Sequence, residues 1–381
     1  MSKIDFQSAE NNIILNPRWP RDDYESLWGL AEKISVDKNL QSHFWLATSG
    51  STADSVRAIK LVALAKTAVL NSAKAVNAHL QASDKDVWTQ VLPRFHVGGL
   101  GIEARAHLSG ARVVPALKDE RWDVKHYYQI LEQEKCTLAA LVPTQVFDLV
   151  TMSLKAPSSL RALVVGGGAL DLKLYRSARD LGWPLLPSYG MSETCSQIAT
   201  ASLNSLHSKD FPSVPLLSHA KARTNAEGYL EVTSTSLFTC YAKNTEEGSA
   251  SWDPKVEGWF TTEDLGEIEN GGLQVGGRKS DYIKIGGEGT NLARLRRILE
   301  ACALDLNSAW PLQVTLLEVP SERLGAEIEM ICSLRPEEAE ILSVKYQEKV
   351  LPFEKVRRIK YVDQIPRTDL GKILWGELRR K

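Results

Sequence analysis

Short apolar runs bounded by glycine or proline recur through the first two thirds of the chain. The runs Ala111–Val114, Thr137–Val142 and Ala162–Val165 are rich in aliphatic residues and predict buried strands. Leu61–Leu80 and Leu170–Leu181 carry apolar residues at helical spacing and predict helices. Alternation of such strands and helices is typical of an α/β fold with a largely parallel sheet.

The pattern changes near Glu227, after which strand signals follow one another without helices and predict an antiparallel sheet. These strands are Tyr229–Val232, Trp259–Thr262 and Gly272–Val275. Beyond them, a helix, two strands and a second helix follow in about a hundred residues, which predicts a small α+β domain. These elements are Ala293–Ala303, Gln313–Val319, Ile328–Leu334 and Pro336–Val350. We therefore divide the chain into domains 1–278 and 279–381, with a hinge at Lys279–Asp281.

Composition narrows the class of protein. The 381 residues include 46 Lys and Arg against 47 Asp and Glu, a balance that argues against binding nucleic acid through bulk charge. Five scattered cysteines without a C-x-x-C pair argue against a disulfide framework or a zinc site. The N-terminus lacks a secretory signal, and the most apolar window, Leu138–Val150, is too short to cross a bilayer. We expect a cytoplasmic protein.

Small polar and glycine-rich segments supply the candidate chemistry. The run Thr48-Ser49-Gly50-Ser51-Thr52 follows an apolar stretch, and its backbone N–H groups and hydroxyls could hold phosphate, although such runs are also ordinary loops. Gly166-Gly167-Gly168-Ala169 follows a predicted strand, either as a ligand platform or as a tight turn. Glu193, in Ser188–Thr194, could hold Mg²⁺, and Asp264 could accept the hydroxyls of a ribose. Taken singly, each charged residue could equally be solvated.

The order of these segments is more specific than any one of them. T-S-G-S-T, G-G-G-A, Y-G-M-S-E, T-x-D-L, G-R-K-S-D, G-G-E and P-R-T-x-x-G-K run from Thr48 to Lys372. In this order they resemble the adenylate-forming superfamily of acyl-CoA synthetases, luciferases and peptide-synthetase adenylation domains. The resemblance implies a large α/β N-terminal domain, a small mobile α+β C-terminal domain, and ATP, Mg²⁺ and coenzyme A as cofactors or substrates.

The resemblance also implies residue roles. Lys372 would be the mobile catalytic cation, Glu193 the magnesium ligand, and Tyr189 would stack on adenine. The implied ATP- or AMP-binding residues are Thr48, Ser49, Gly50, Ser51, Thr52, Gly167, Gly168, Ala169, Tyr189, Gly190, Ser192, Asp264 and Arg278. For the coenzyme A step, the implied hinge and loop residues are Ser280, Asp281, Gly286 and Gly287.

One segment suggests a particular group within the superfamily. Leu92–Arg105 contains F-H-V-x-G-x-G-I-x-x-R and resembles the o-succinylbenzoate–CoA ligases of menaquinone biosynthesis, whose substrate carries two carboxylates. The resemblance implies that His96 takes part in catalysis by closing the acyl pocket, which Gly98 and Gly190 also line. Arg105 would bind the carboxylate that is not activated, although it could instead face solvent. Another acyl- or aryl-CoA ligase, or a degenerate adenylate-binding module, remain alternatives.

Several positions depart from the superfamily pattern. Ala53 replaces a glycine after the phosphate loop, Lys60 best matches the usual lysine, and Trp375 replaces an arginine that commonly follows G-K-I. Only 47 residues precede the phosphate loop, so we expect an N-terminal subdomain to be largely missing and a partner subunit, as in a homodimer, to cover that side. The basic segment Glu354–Lys381 is interleaved with apolar residues, which favours a packed element over a nucleic-acid tail.

Overall fold

The computed structural model describes residues 4–48, 59–269, 271–278, 281–286, 288–369 and 371–380. The helices found there are α1 Arg21–Asp37, α2 Lys66–Leu80, α3 Val97–Ser109, α4 Val124–Gln133, α5 Pro143–Thr151, α6 Leu172–Asp180, α7 Leu292–Leu306, α8 Pro336–Gln347 and α9 Trp375–Arg380. The strands are β1 Asn12–Ile14, β2 His43–Ala47, β3 Leu61–Ala65, β4 Val87–Gln90, β5 Arg112–Pro115, β6 Leu138–Leu141, β7 Ala162–Val165, β8 Leu185–Met191, β9 Ser196–Thr200, β10 Ala220–Thr224, β11 Tyr229–Ser234, β12 Cys240–Thr245, β13 Gly248–Trp252, β14 Phe260–Glu269, β15 Gly272–Arg278, β16 Tyr282–Ile285, β17 Glu288–Asn291, β18 Val314–Ser321, β19 Gly325–Cys332 and β20 Val356–Tyr361.

A six-stranded sheet in the order β5-β4-β6-β7-β8-β9 forms the centre of the fold. Its first five strands are parallel and only β9 is antiparallel, which confirms the predicted parallel α/β region. All four residues of β6 and of β7 are buried, as expected when helices cover both faces of a parallel sheet. The helix predicted over Leu170–Leu181 is α6, and Asp171 caps it by accepting N–H bonds from Lys173 and Leu174.

A second sheet, in the order β1-β2-β3-β12-β13, differs from the prediction. The predicted helix over Leu61–Leu80 was wrong for its first five residues, which form β3 between β2 and β12; only Lys66–Leu80 is helical. The first four residues of β3 are fully buried and apolar. A continuous apolar run of this length fits a buried strand as well as a helix, so periodicity could not separate the two.

The remaining strands form three further sheets. The antiparallel sheet β10-β11-β14-β15 confirms the strands predicted after Glu227. The C-terminal residues form the hairpin β16-β17 and the sheet β18-β19-β20, against which α7 and α8 pack around a separate apolar cluster. The last basic segment is packed as predicted, because Ile365, Ile373 and Leu378 are buried together. In the described portion, every helix is too short or too polar to cross a membrane.

Two helical glycines should respond oppositely to the same substitution. A Cβ atom on Gly99, in α3, would lie 2.2 Å from the backbone oxygen of Pro93, so Gly99→Ala should destabilise the protein by about 2–4 kcal/mol. A Cβ on Gly29, in α1, would meet nothing within 4 Å, and Gly29→Ala should stabilise by about 0.5–1 kcal/mol. Urea unfolding of both variants measures these changes, and effects of equal sign would contradict the packing described for α3.

The C-terminal elements contact the central sheet through α7. Lys173 on α6 forms an ion pair with Asp305, and Leu304 and Leu312 pack against the main core. Glu300 of α7 lies in this contact. Burial and the charge of Asp171 raise the pKa of its carboxyl and Arg367 lowers it, and the resulting pKa is about 7. The contact therefore holds a carboxyl group that titrates near neutral pH.

Glu300 should make the stability of the protein depend on pH. Its pKa of about 7 in the folded protein exceeds the ordinary value of 4.5 for a glutamate, so its favourable contribution to stability is full below pH 4.5 and is lost as the pH rises through 7. Glu300→Gln should flatten this fall, which is on the order of 2 kcal/mol, and should be more stable than the parent at pH 8. Thermal unfolding between pH 5 and 8 tests this, with the exposed Glu340→Gln as control. The same pH profile in Glu300→Gln and the parent would contradict the assignment.

Candidate functional site

His96 lies where the chain passes from β4 into α3. It is the residue before the first turn of α3, and its carbonyl oxygen accepts N–H bonds from Gly99 and Leu100. Burial, together with the charges of Lys372 and Arg18, lowers the pKa of its imidazole to about 4. The ring is therefore neutral at pH 7 and lies close to Lys372, although the two residues are far apart in sequence.

Arg105 points into the protein from α3. The residue is only 2% exposed, which rules out the solvent-facing alternative considered from the sequence. Its guanidinium donates to Ser196 Oγ at 3.0 Å and lies 5.6 Å from the ring centroid of Trp88. Burial lowers its pKa to about 10, so it stays charged at neutral pH, and within the described ranges no carboxylate pairs with it. A buried cation without an anionic partner is costly, which makes the site suitable for an anionic ligand.

The connection from β8 to β9 carries Tyr189, Gly190, Ser192 and Glu193. Two residues after Glu193 the backbone takes left-handed conformations, with φ of 52° at Cys195 and 108° at Ser196, which cost about 1–3 kcal/mol each. Gly190 is required because a Cβ there would lie 2.0 Å from the backbone oxygen of Ser196. This tight turn directs Glu193 and Ser196 into the same region.

Glu193 has the environment expected of a magnesium ligand. Its Oε1 accepts a hydrogen bond from Tyr241 at 2.7 Å, while Oε2 has no hydrogen-bond partner among the described residues. The Lys60 ammonium group lies 4.4 Å from the ring centroid of Tyr241. A cation is therefore in contact with the same tyrosine that bonds Glu193. In the described chain no three acidic, histidine or cysteine side chains converge. A single carboxylate suits Mg²⁺ that takes its other ligands from phosphates and water.

Asp264 connects the predicted adenine and ribose positions. Tyr189 donates from its hydroxyl to Asp264 Oδ2 at 2.7 Å, and Arg278 donates from Nε to Oδ1 at 3.1 Å. Asp264 and Arg278 are direct cross-strand partners on β14 and β15. Burial, the Asp264 charge and this bond raise the pKa of Tyr189, so its hydroxyl remains a donor. The sheet register thus brings together three residues that the sequence assigned separately.

The glycine segment after β7 approaches β8 and α5 closely. A Cβ on Gly166 would lie 2.6 Å from Ser188 Oγ, Gly167 has a φ of +78°, and a Cβ on Gly168 would lie 3.6 Å from Pro143. A side chain would crowd Ser188 at Gly166 and strain the backbone at Gly167, whereas Gly168 has room for a Cβ in ordinary contact with Pro143. The segment, with Ala169 after it, therefore presents backbone at the carboxyl end of the parallel sheet, where ligands bind in open α/β folds.

Lys372 is held in a turn that we call the lysine turn, from Arg367 to Ile373. Thr368 N–H donates to the Lys372 carbonyl at 2.7 Å, Lys372 N–H donates to Thr368 Oγ1 at 3.1 Å, and Arg367 donates to the Gly371 carbonyl at 2.9 Å. Burial and the charge of Arg278 lower the pKa of Lys372, whereas Asp264 and Glu193 raise it. The turn thus places the lysine within electrostatic range of the two acidic residues predicted for the nucleotide site.

The other predicted residues lie outside the described ranges or form contacts elsewhere. Ser49, Gly50, Ser51, Thr52, Ser280 and Gly287 lie outside the described residues, as does Ala53. Thr48 N–H donates to the Lys60 carbonyl at 2.9 Å. This bond places Thr48 next to Lys60, whose side chain lies over the ring of Tyr241. Asp281 accepts from Arg296 at 2.9 Å, and Gly286 turns near Leu324 with a φ of +60°. The roles of Ser192 and Gly98 also remain predictions.

Sequence reasoning did not identify Tyr241 or Arg18. Tyr241 bonds Glu193 across 48 residues, and Arg18 forms an ion pair with Asp369 across 351. Neither residue belongs to a motif. The sole signal for Tyr241 was its position in an apolar strand-like segment beside Phe238, which indicates burial but no chemistry.

The parallel sheet, the backbone platform after β7 and the converging Lys372, Glu193 and Asp264 define an adenylate-forming fold. The sequence matches the family described as AMP-binding enzyme over residues 15–224, more than half of the chain. The chain therefore belongs to the AMP-binding enzyme family.

Several relatives have names that state a function. The chain is 29% identical over 321 residues to the 2-succinylbenzoate–CoA ligase of Bacillus licheniformis, covering 80% of this chain and 63% of the relative. It is 32% identical over 235 residues to the ligase of the same name from Bacillus pumilus, covering 59% of this chain and 47% of the relative. The chain thus spans less than two thirds of the length of these relatives.

A solved structure agrees with these relatives. The o-succinylbenzoate CoA synthetase from Bacillus subtilis, in complex with its acyl-adenylate intermediate, superposes with a TM-score of 0.73 at 26% identity. The match covers 88% of this chain and 68% of the solved chain. The similarity therefore extends over most of the chain.

Proposed function

We propose that the protein is an ATP-dependent, AMP-forming carboxylate–CoA ligase that converts o-succinylbenzoate to its acyl-adenylate and then to the coenzyme A thioester, in menaquinone biosynthesis. The convergence of Lys372 with Glu193 and Asp264 carries this proposal, because it puts a cation beside the predicted metal and ribose ligands. The named relatives support the choice of acid. Cytoplasmic location, a homodimer and the absence of a nucleic-acid partner are parts of the proposal that rest on the sequence.

In the first step, a carboxylate oxygen of the acid attacks the α-phosphorus of ATP. A P–O bond forms, the bond from the α-phosphorus to the bridging oxygen breaks, and pyrophosphate leaves with the electron pair. Lys372 stabilises the negative charge that accumulates on the phosphate oxygens, and Asp264 and Arg278 orient the ribose. Mg²⁺ at Glu193 would neutralise charge on the phosphates. His96, neutral at pH 7, closes the acyl pocket without adding charge.

Arg105 supplies specificity for the dicarboxylate. Its guanidinium lies buried beside Ser196 and would pair with the carboxylate that is not activated. A guanidinium presents paired N–H donors that match a carboxylate in geometry and charge. An acid with only an apolar tail would leave this cation unpaired in a buried site, at a cost of several kcal/mol.

In the second step, the thiol of coenzyme A displaces AMP from the acyl-adenylate. A C–S bond forms, the acyl C–O bond to AMP breaks, and the thiol proton passes to solvent. We assign the division of the chain into domains 1–278 and 279–381, with a hinge at Ser280 and Asp281, to this step. Rotation of the C-terminal domain would withdraw Lys372 and bring the loop of Gly286 and Gly287 toward the thiol.

Pyrophosphate release with a set of acids tests the function. We expect release with o-succinylbenzoate, dependent on Mg²⁺, and little with benzoate or a long-chain fatty acid; added coenzyme A should then yield the thioester and AMP. Preference for another acid would establish a different acyl- or aryl-CoA ligase. Binding of AMP without pyrophosphate release from any acid would identify a non-catalytic module.

A further inference from the structure

Asp369, three residues before Lys372, joins the lysine turn to the N-terminal part of the chain. Its carboxylate pairs with the guanidinium of Arg18 and accepts a hydrogen bond from Asn16 Nδ2 at 3.3 Å. The side chains of Arg18 and Asp369 are each 34% exposed. The sequence interpretation used none of these three residues, yet together they link the loop after β1 to the segment that carries the catalytic cation.

Arg18 is itself held in place for this contact. Its backbone N–H donates to Asn16 Oδ1 at 3.0 Å, and its Nε lies 3.4 Å from the same oxygen. The guanidinium carbon is 5.8 Å from the ring centroid of Phe95, which precedes His96 in the segment of the acyl pocket. Arg18 therefore contacts both the wall of the acyl pocket and the lysine turn.

The shape of the lysine turn does not require these contacts. Bonds from Arg367 and Thr368 close the turn internally. Gly371 rests against α5 so closely that a Cβ would lie 2.5 Å from Thr144 Oγ1. Asn16 and Arg18 thus contact the turn from another part of the chain. They affect the position of the lysine turn and not its shape.

We propose that Asn16, Arg18 and Asp369 form a latch that seats Lys372 in the cleft for adenylate formation and opens for the coenzyme A step. These are positioning residues, because they act on Lys372 through the turn that carries it. The inference rests on the proposed function, since it assigns the latch to the first of its two steps. A partly exposed ion pair is weak and screened by salt, which suits a contact that must break in each catalytic cycle.

Asp369→Asn and Arg18→Met test the latch through two half-reactions. Each should slow acyl-adenylate formation about threefold to thirtyfold, whereas thioester formation from supplied acyl-adenylate should be unchanged or faster. High salt should slow adenylate formation in the parent and have less effect in the variants. Glu338→Gln, which removes a partly exposed ion pair between Arg335 and Glu338 at the start of α8, is the matched control and should change neither half-reaction.

A distance measurement tests the same inference without turnover. The five cysteines are buried, so spin labels can be placed at Val36→Cys on α1 and Val344→Cys on α8, both exposed. Asp369→Asn should reduce the population at the parent distance. An unchanged distance distribution, or equal slowing of both half-reactions, would overturn the latch. If the parent adenylates no acid, the proposed function fails, while a shifted distance in Asp369→Asn would still support the latch as a conformational contact.

Discussion

Lys372→Ala should abolish acyl-adenylate formation while leaving thioester formation from supplied acyl-adenylate close to the parent rate. The lysine turn brings this cation to Glu193 and Asp264, and attack of a carboxylate on a phosphate concentrates negative charge there. We expect a loss of at least about 100-fold in the first half-reaction, which is the usual effect of removing one electrostatic stabiliser. Single-turnover pyrophosphate release and thioester formation, measured separately, give the two rates.

Two further variants test whether this loss of activity is specific to Lys372 and to its ammonium group. Arg357→Ala removes an exposed cation from β20 in the same C-terminal part and should leave both half-reactions unchanged. Lys372→Arg keeps the charge but should restore little activity, because a guanidinium is broader than an ammonium group. If Lys372→Ala slowed both half-reactions equally, the lysine would not be specific to adenylation.

Arg105→Met should raise the KM for o-succinylbenzoate by roughly 100-fold, since a charge-assisted pair with a carboxylate is lost from a buried site. The substitution keeps much of the side-chain volume and removes the only charge beside Ser196 that we assign to the substrate. Because burial of an unpaired guanidinium is unfavourable, the variant should unfold at the parent temperature or above. Steady-state kinetics and thermal unfolding measure the two effects.

Substrate analogues provide the matched comparison for Arg105. Two monocarboxylates each lack one carboxylate of o-succinylbenzoate. One keeps only the carboxylate that is adenylated, and the other keeps only the carboxylate that we assign to Arg105. The analogue that keeps only the activated carboxylate should be a poor substrate of the parent and should be affected little by Arg105→Met. If Arg105→Met raised the KM equally for that analogue and for o-succinylbenzoate, Arg105 would be excluded as the residue that binds the second carboxylate.

The sequence predicted those elements that are indicated by one continuous run of residues. The strand Ala162–Val165 was predicted with the observed bounds, because a short apolar run before a glycine segment has few alternatives. The cluster of Tyr189, Asp264 and Lys372 could be expected only from the order of motifs, since their contacts join distant segments. The individual roles of these residues remain predictions that the kinetic experiments test.

The structural features that the sequence did not predict depend on tertiary contacts. Leu61–Ala65 became a strand because β2 and β12 flank it, and the run itself contains no record of those neighbours. Arg105 had two interpretations until its burial was known, because α3 carries polar residues on more than one face. Arg18 pairs with Asp369 and Tyr241 bonds Glu193 across long stretches of sequence, and such contacts leave no spacing pattern in the chain.

The turn between β8 and β9 has an evolutionary consequence. It carries Glu193, which we assign to the nucleotide, and Ser196, which bonds Arg105. Cys195 and Ser196 take left-handed conformations there, and Gly190 lies against Ser196 with no room for a side chain. Substitutions that retune acid preference at this turn would disturb metal binding as well and would need compensating changes. New acid specificities should therefore arise more readily through α3, where residues can vary without moving Glu193.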